Sequence, residues 1–253
     1  MKKFIFILTL LLVEVFPISA DINVEKMISL YNAGNDKEKS GRYSEALKLY
    51  VQAYEAGDNY FAPMKLAEFY ADGMGTAENI IESNKWLKIA AEAGHPLGQC
   101  ILGDVYYYGI GEPRNLPESA KWYLKAAEQD FPSAQYKIAL AYLEGEGVAQ
   151  SNSIGLAWLR KAADNNDPDA QDGMAKVYGF GNYGVQKDMK EFVKWAMIAA
   201  NNGQPQAQGR VGSIYLHGLG GVKADKEEAI KWFLRGAEQG DQFSIQELSK
   251  LGF

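Results

Sequence analysis

"KWYLKAAEQD", residues 121–130, contains one of only five tryptophans in the chain. The other four stand in near copies of the same phrase: KWLKIAAEAG (85–94), AWLRKAADNN (157–166), KWAMIAANNG (194–203) and KWFLRGAEQG (231–240). Trp86, Trp122, Trp158, Trp195 and Trp232 are therefore spaced 36, 36, 37 and 37 residues apart. A tyrosine series keeps step with them: Tyr70, Tyr106, Tyr142, Tyr178 and Tyr215, spaced 36, 36, 36 and 37. A period between about 20 and 50 residues marks stacked supersecondary units rather than one closed core.

One period read at the residue level predicts two helices. From Pro96 to Tyr108, apolar or small residues fall at Leu102, Gly103, Val105 and Tyr106, the spacing of a packed helix face. Gly109 and Gly111 end that helix, because glycine adopts the left-handed conformation of a helix terminus at no steric cost. "EPRNLP" follows as a loop, and Pro117 suits the first turn of a second helix over about 117–129. That helix turns Ala120, Trp122, Tyr123, Ala126 and Ala127 inward. The alanines admit a close neighbour, and the tryptophan is expected to fill the space between consecutive units. A two-helix unit cannot bury both apolar faces alone, so it must stack.

The template runs through the chain. Glycine pairs recur at Gly73 and Gly75, and at Gly145 and Gly147. The tyrosine-to-tryptophan distance grows from 16 to 17 in the last two periods, which places one extra residue in each of the loops 179–185 and 218–222. Residues 22–39 and 41–57 form a degenerate first pair with Leu49 at the tryptophan position, and residues 241–253 form a C-terminal cap.

The pattern Leu102-Gly103 with Tyr106, the Gly109–Gly111 loop, Trp122 with Ala126-Ala127, and again Ala229 with Trp232, Ala237 and Gly240, resembles the Sel-1-like repeat family, a branch of the tetratricopeptide superfamily. The resemblance covers nearly all of residues 27–247. It implies an all-α fold, a right-handed α-solenoid of about six repeats. It also implies an adaptor, regulator or inhibitor that binds a protein, as members of the family typically do. Bacterial members are often exported, and some neutralise phospholipase toxins. Cysteine-rich members bridge each helix pair with a disulfide; this chain has one cysteine, Cys100, and departs from that subgroup.

The first twenty residues have a different character. Lys2 and Lys3 precede an apolar run from Phe4 to Val13 and a short segment ending Ile18-Ser19-Ala20. This is the pattern of a secretory signal peptide cut before Asp21, and the run is too short for a membrane span, which needs about 20 residues. The expected domains are a signal peptide over 1–20 and a single solenoid domain over 21–253, in the periplasm or secreted. Without Lys2, Lys3 and Glu14, the 26 basic and 32 acidic residues become 24 and 31, a net charge of −7. That charge disfavours nucleic acid or an anionic membrane as the main partner.

No catalytic set emerges. His95 and His217, the only histidines, lie about three repeats apart, so a histidine metal site is not expected. His95 precedes Pro96 at a helix entrance and suits a cap. Cys100 suits a buried small hydrophobe. GFGNYG (179–184) matches a dinucleotide-binding phrase but falls in the repeat's own loop, without the strand that phrase must follow. The cysteine-rich relatives raise a β-lactam-directed or cell-wall-directed enzyme as the alternative; that chemistry uses Ser-x-x-Lys, and none of the serines has a lysine three residues on. No cofactor is expected.

A partner of such a stack docks on the concave face lined by the first helix of each unit. The superfamily geometry implies that this face holds the residues two before, one after and two after each series tyrosine. These are Glu68, Ala71 and Asp72; Asp104, Tyr107 and Tyr108; Leu140, Leu143 and Glu144; Lys176, Gly179 and Phe180; and Ser213, Leu216 and His217. The mixture of aromatics and carboxylates suits a protein or peptide segment. Tyr107 and Tyr108, with Asp104 one turn earlier, are the expected centre, because Tyr106 already occupies the packing position.

Overall fold

The computed structural model describes residues 24–253, so the leader predicted over residues 1–20 lies outside them. Among the described residues there are thirteen α-helices and no strand. They group into two compact units that divide after Asn115. The first unit holds α1 (Val24–Lys39), α2 (Tyr43–Glu55), α3 (Phe61–Asp72), α4 (Ile80–Glu92) and α5 (Pro96–Tyr108). The second holds α6 (Leu116–Glu128), α7 (Pro132–Glu144), α8 (Asn152–Asp164), α9 (Pro168–Phe180), α10 (Met189–Asn201), α11 (Pro205–His217), α12 (Lys226–Glu238) and α13 (Gln242–Leu251).

Hairpin partners pack as the repeat requires: α1 on α2 and α3 on α4 in the first unit, and α7 on α8, α9 on α10 and α11 on α12 in the second. Successive hairpins meet through α2 and α3, α4 and α5, α8 and α9, and α10 and α11. The fold class is an all-α solenoid, built from units that each hide one face on the next.

The loop chemistry follows the glycine pattern. α7 ends at Gly145, which is left-handed (φ 76°) and returns its N–H to the carbonyl of Ala141. Gly147 is also left-handed, and a β-carbon there would lie 2.1 Å from the Leu116 carbonyl oxygen, so no other residue fits. Each series tyrosine also holds its loop: the carbonyls of Tyr70, Tyr106, Tyr142, Tyr178 and Tyr215 accept the backbone N–H of Asn79, Asn115, Ser151, Asp188 and Asp225. In the last two repeats the extra residue is taken up as a short 3-10 turn, Asn182–Gly184 and Leu219–Gly221. GFGNYG thus spans the end of α9 and the first of these turns.

The tryptophans are not the centre of the core. Trp122, Trp195 and Trp232 are buried, but Trp86 and Trp158 are only half-buried. The next residue is at least as deep: Tyr50, Leu87, Tyr123, Leu159, Ala196 and Phe233 are all at most 4% exposed. One residue along a helix is a rotation of about 100°, which carries the indole toward the rim of the packed stripe. There its ring meets cations. Lys125 stands 3.9 Å from the Trp122 ring centre, Lys161 5.1 Å from Trp158, Arg160 5.0 Å from Trp195 and Arg235 4.5 Å from Trp232. The tyrosines of the series are likewise half-buried rather than central.

A second set of repeat residues went unnoticed in the sequence. Gln99, Gln135, Gln171 and Gln208 are buried, and the amide of each donates to the carbonyl eight residues earlier, at Ala91, Ala127, Ala163 and Ala200. In the second unit the chain of bonds continues. Asn165 donates to Gln135 Oε1 (2.9 Å), Asn202 to Gln171 (2.8 Å) and Gln239 to Gln208 (2.8 Å). Each glutamine therefore ties the end of the preceding helix to the end of the following one. The glutamines recur every 36, 36 and 37 residues, so their period carried the signal.

Candidate functional site

The residues expected to bind a partner fall into two classes once their surroundings are known. The position two after the tyrosine is exposed every time, at Asp72, Tyr108, Glu144, Phe180 and His217. The position two before is exposed at Glu68 and Lys176 and half-buried at Asp104, Leu140 and Ser213. The position one after is a packing position, against expectation. Leu143 is 1% exposed and lies on Gly155 of α8, where an added β-carbon would meet it at 2.6 Å. Gly179 faces the Phe192 ring, and Leu216 packs on the cluster of Ala229, Phe233 and Leu248. Tyr107 belongs with them: its carbonyl accepts from Arg114 Nε at 3.1 Å, and the guanidinium stands over its ring at 5.7 Å. Of the two adjacent tyrosines, Tyr107 closes the helix onto its loop. Tyr108 is 65% exposed and meets Tyr107 edge-on at 4.9 Å.

The helical period extends the exposed stripe backward. Positions nine and five before each tyrosine share a face with those two before and two after. On α3 the stripe reads Phe61, Lys65, Glu68 and Asp72; on α5 it reads Leu97, Ile101, Asp104 and Tyr108. Leu97 is 41% and Ile101 36% exposed, an unusual outlay of aliphatic surface on one helix. On α9 the stripe reads Asp169, Gly173, Lys176 and Phe180, and on α11 Gln206, Arg210, Ser213 and His217.

In the first unit these faces enclose a groove of about 510 Å³. Phe61, Met64, Leu87, Leu97 and Ile101 give it apolar walls; Glu68, Asp72 and Lys65 stand along it. The charges have an order. Lys65 Nζ lies 2.8 Å from Glu38 and 3.0 Å from Glu68. Burial alone would pull the Lys65 pKa down, but these two carboxylates hold it above the ordinary lysine value. Burial alone would raise Glu38; hydrogen bonds from Lys65 and the Tyr50 hydroxyl outweigh that and hold it below. His95 closes one end of the groove. Its Nδ1 accepts from Gly98 N, its ring lies 4.5 Å from that of Tyr60, and burial lowers its pKa. The cap read from the sequence is thus present. Cys100 is buried in α5.

In the second unit the corresponding face is occupied by its own ion pairs. Asp172 is 1% exposed and takes Arg210 in two bonds, Nε at 2.6 Å and Nη2 at 2.8 Å, with Lys176 Nζ at 2.8 Å. Burial works against the Asp172 charge, yet these cations hold its pKa below the ordinary carboxylate value. Arg210 and Ser213 line a smaller cavity of about 350 Å³ with Phe192, Gln206, Asp241 and Phe243. Lys176 is therefore tied down, while Leu140, Glu144, Phe180 and His217 line neither cavity.

Stacked helix hairpins with a variable first-helix face define the class of protein-interaction repeat scaffolds. The Sel1 repeat model matches residues 29–58, 63–95, 96–131, 132–167, 168–204 and 205–241. The chain belongs to the Sel1 repeat family, whose members are generally protein-interaction modules and mostly not enzymes. It is similar to the crystal structure of a Sel1 repeat protein from Oxalobacter formigenes: 31% identity, TM-score 0.81, covering 87% of this chain and 89% of that one. It is similar also to c5321, a protective antigen of uropathogenic Escherichia coli, with 30% identity and TM-score 0.77 over 89% of this chain. The match spans 48% of c5321, about half its length. The immunity protein PA5088 from Pseudomonas aeruginosa shares the fold at 17% identity and TM-score 0.54, over 86% of this chain and 83% of that one. Among curated proteins none matches the sequence.

Proposed function

We propose that the protein is an exported, non-catalytic binding module that holds or blocks another protein through the first-helix face of its repeats. The observation that carries this is the groove of the first unit, where Leu97 and Ile101 stay exposed beside Glu68 and Asp72. The packing of the repeat does not require them there, since the equivalent positions on α11 are Gln206 and Arg210. An exposed apolar patch rimmed by charge is a usual mark of a protein-interaction site. The basic and apolar pattern of residues 1–20 supports export, with the periplasm as the compartment and Asp21 as the mature N-terminus. An inhibitor of the immunity type is one form of this role, and sharing a fold with the immunity protein PA5088 is in keeping with it.

The test is site-specific photocrosslinking in the producing cell. A photoreactive phenylalanine at Ile101 should yield a discrete adduct with a single protein. The same residue at the exposed Lys88, on the outer surface of α4, should not. Equal adducts from both positions, or none from Ile101, would refute the face assignment. Terminal sequencing of the cellular protein checks export: Asp21 should be the first residue. Hydrolysis of a chromogenic β-lactam by the purified protein, abolished by one substitution in the groove, would overturn the non-catalytic reading.

A further inference from the structure

The groove carries a more specific reading, which rests on the first-helix face being the docking surface. We infer that its occupant is a cationic, amphipathic protein segment: one large apolar side chain seated between α3 and α5, with a lysine or arginine directed at Glu68 and Asp72.

The apolar half of the argument is the wall composition. Phe61, Met64, Leu87, Leu97 and Ile101 surround the groove, and Leu97 and Ile101 are held in water in its absence. Removing such surface from water yields about 25 cal/mol per Å², which favours one bulky apolar anchor over a polar ligand. Three of the polar groups of the groove are already engaged within the protein. Ser83 Oγ donates to the Ala67 carbonyl at 2.7 Å, His95 Nδ1 accepts from Gly98, and Lys65 is shared between Glu38 and Glu68. The exposed stripe of α5 runs on past the groove through Asp104 to Tyr108, so an elongated occupant with a basic residue meets more of it than a compact one.

The charged half is a matter of balance. Two carboxylates, Glu68 and Asp72, line the groove beside one ammonium, Lys65, which Glu68 must share with Glu38, so the lining carries one negative charge in excess. Asp72 ends α3, one turn after Glu68, and the last turn of α3 carries no basic residue. The Asp72 carboxylate opposes the helix dipole, whose negative end is at the C-terminus, and a bound cation relieves that opposition. Dipole and carboxylates together make this end of the groove a site for a cation. The arrangement repels an acidic segment and leaves nucleic acid without a counter-charge.

The experiment is selection of a random peptide library of about twelve residues on the purified protein, followed by fluorescence anisotropy of the recovered peptides. Recovered sequences should pair an aromatic or large aliphatic residue with lysine or arginine. The double reversal Glu68→Lys with Asp72→Lys should weaken them by at least about tenfold at low salt, with a smaller difference at high salt, as expected for charge pairs on a surface. Ile101→Asp should weaken them at any salt. Circular dichroism confirms that each variant folds, and Asp72→Asn, which keeps shape and loses one charge, should fall between wild type and the double reversal. Acidic or charge-neutral peptides, or peptides indifferent to the reversal yet lost with Ile101→Asp, would overturn the cationic assignment while the first-helix face stood. Peptides indifferent to every one of these changes, together with crosslinks from Lys88, would remove the face itself.

Discussion

Replacing Gln171 by leucine tests whether the buried glutamine ladder holds the repeats together. Gln171 is 1% exposed; its Nε2 donates to the Ala163 carbonyl at 3.1 Å and its Oε1 accepts from Asn202 Nδ2 at 2.8 Å. Leucine fills a similar volume and makes neither bond. The Ala163 carbonyl keeps its bond from Asn166 N at 3.1 Å, and Asn202 is exposed and returns to water. The loss is therefore two net hydrogen bonds rather than two orphaned buried groups. At about 0.5–1.5 kcal/mol each, the sum is about 1–3 kcal/mol. For a chain of this size each kcal/mol moves Tm by about 2–4 °C, so a fall of about 4–8 °C is expected for a 2 kcal/mol loss. Urea unfolding followed by circular dichroism and tryptophan fluorescence measures it. A double-mutant cycle with Asn202→Ala should give a coupling of about 0.5–1.5 kcal/mol, since the two side chains share one bond. A change below about 0.5 kcal/mol in the single variant, or simple additivity in the cycle, would refute the ladder as a source of stability.

Trp195→Ala, at a buried site, should cost about 3–5 kcal/mol in urea unfolding, whereas half-buried Trp158→Ala should cost about 2 kcal/mol; equal losses would contradict the placement of the indoles on the rim. Gly212→Ala places a β-carbon 2.5 Å from the Phe233 ring, so overpacking should destabilise by about 1–3 kcal/mol, and an unchanged Tm would show that α11 and α12 separate freely. Burial lowers the His95 pKa, so below its ordinary value of 6.5 the unfolded chain takes up the proton first. Its contribution is full above that value and is lost as pH falls toward the folded pKa. His95→Gln, which keeps an acceptor for Gly98, should flatten the stability profile below about pH 6.5, and an unchanged profile would overturn the burial of the imidazole as its cause.

The sequence alone determined the repeat and its parts. A strict period needs neither partner nor distance to be read, because each unit must present the same packing residues to the next. The helix limits, the glycine loops, the two one-residue insertions, the cap at His95 and the burial of Cys100 all follow from local backbone and hydrophobic rules. The depth of each side chain was another matter. A period says that a position recurs, and says nothing about which of two neighbours points inward. The period alone therefore cannot tell Trp158 from Leu159 as the deeper residue, nor show that Leu143 is buried and that Tyr107 packs under Arg114. The glutamine ladder was visible as a period, but its meaning required the carbonyls eight residues back and the amides about thirty residues on. Within the candidate site, Glu68 and Asp72 were readable as exposed carboxylates. Only the tertiary structure set them beside Leu97 and Ile101, because α3 and α5 come together through α4, whose packing no local rule supplies. The same holds for Asp172: Lys176, four residues on in the same helix, is a local partner, but only the tertiary structure brings Arg210, 38 residues away, onto the carboxylate.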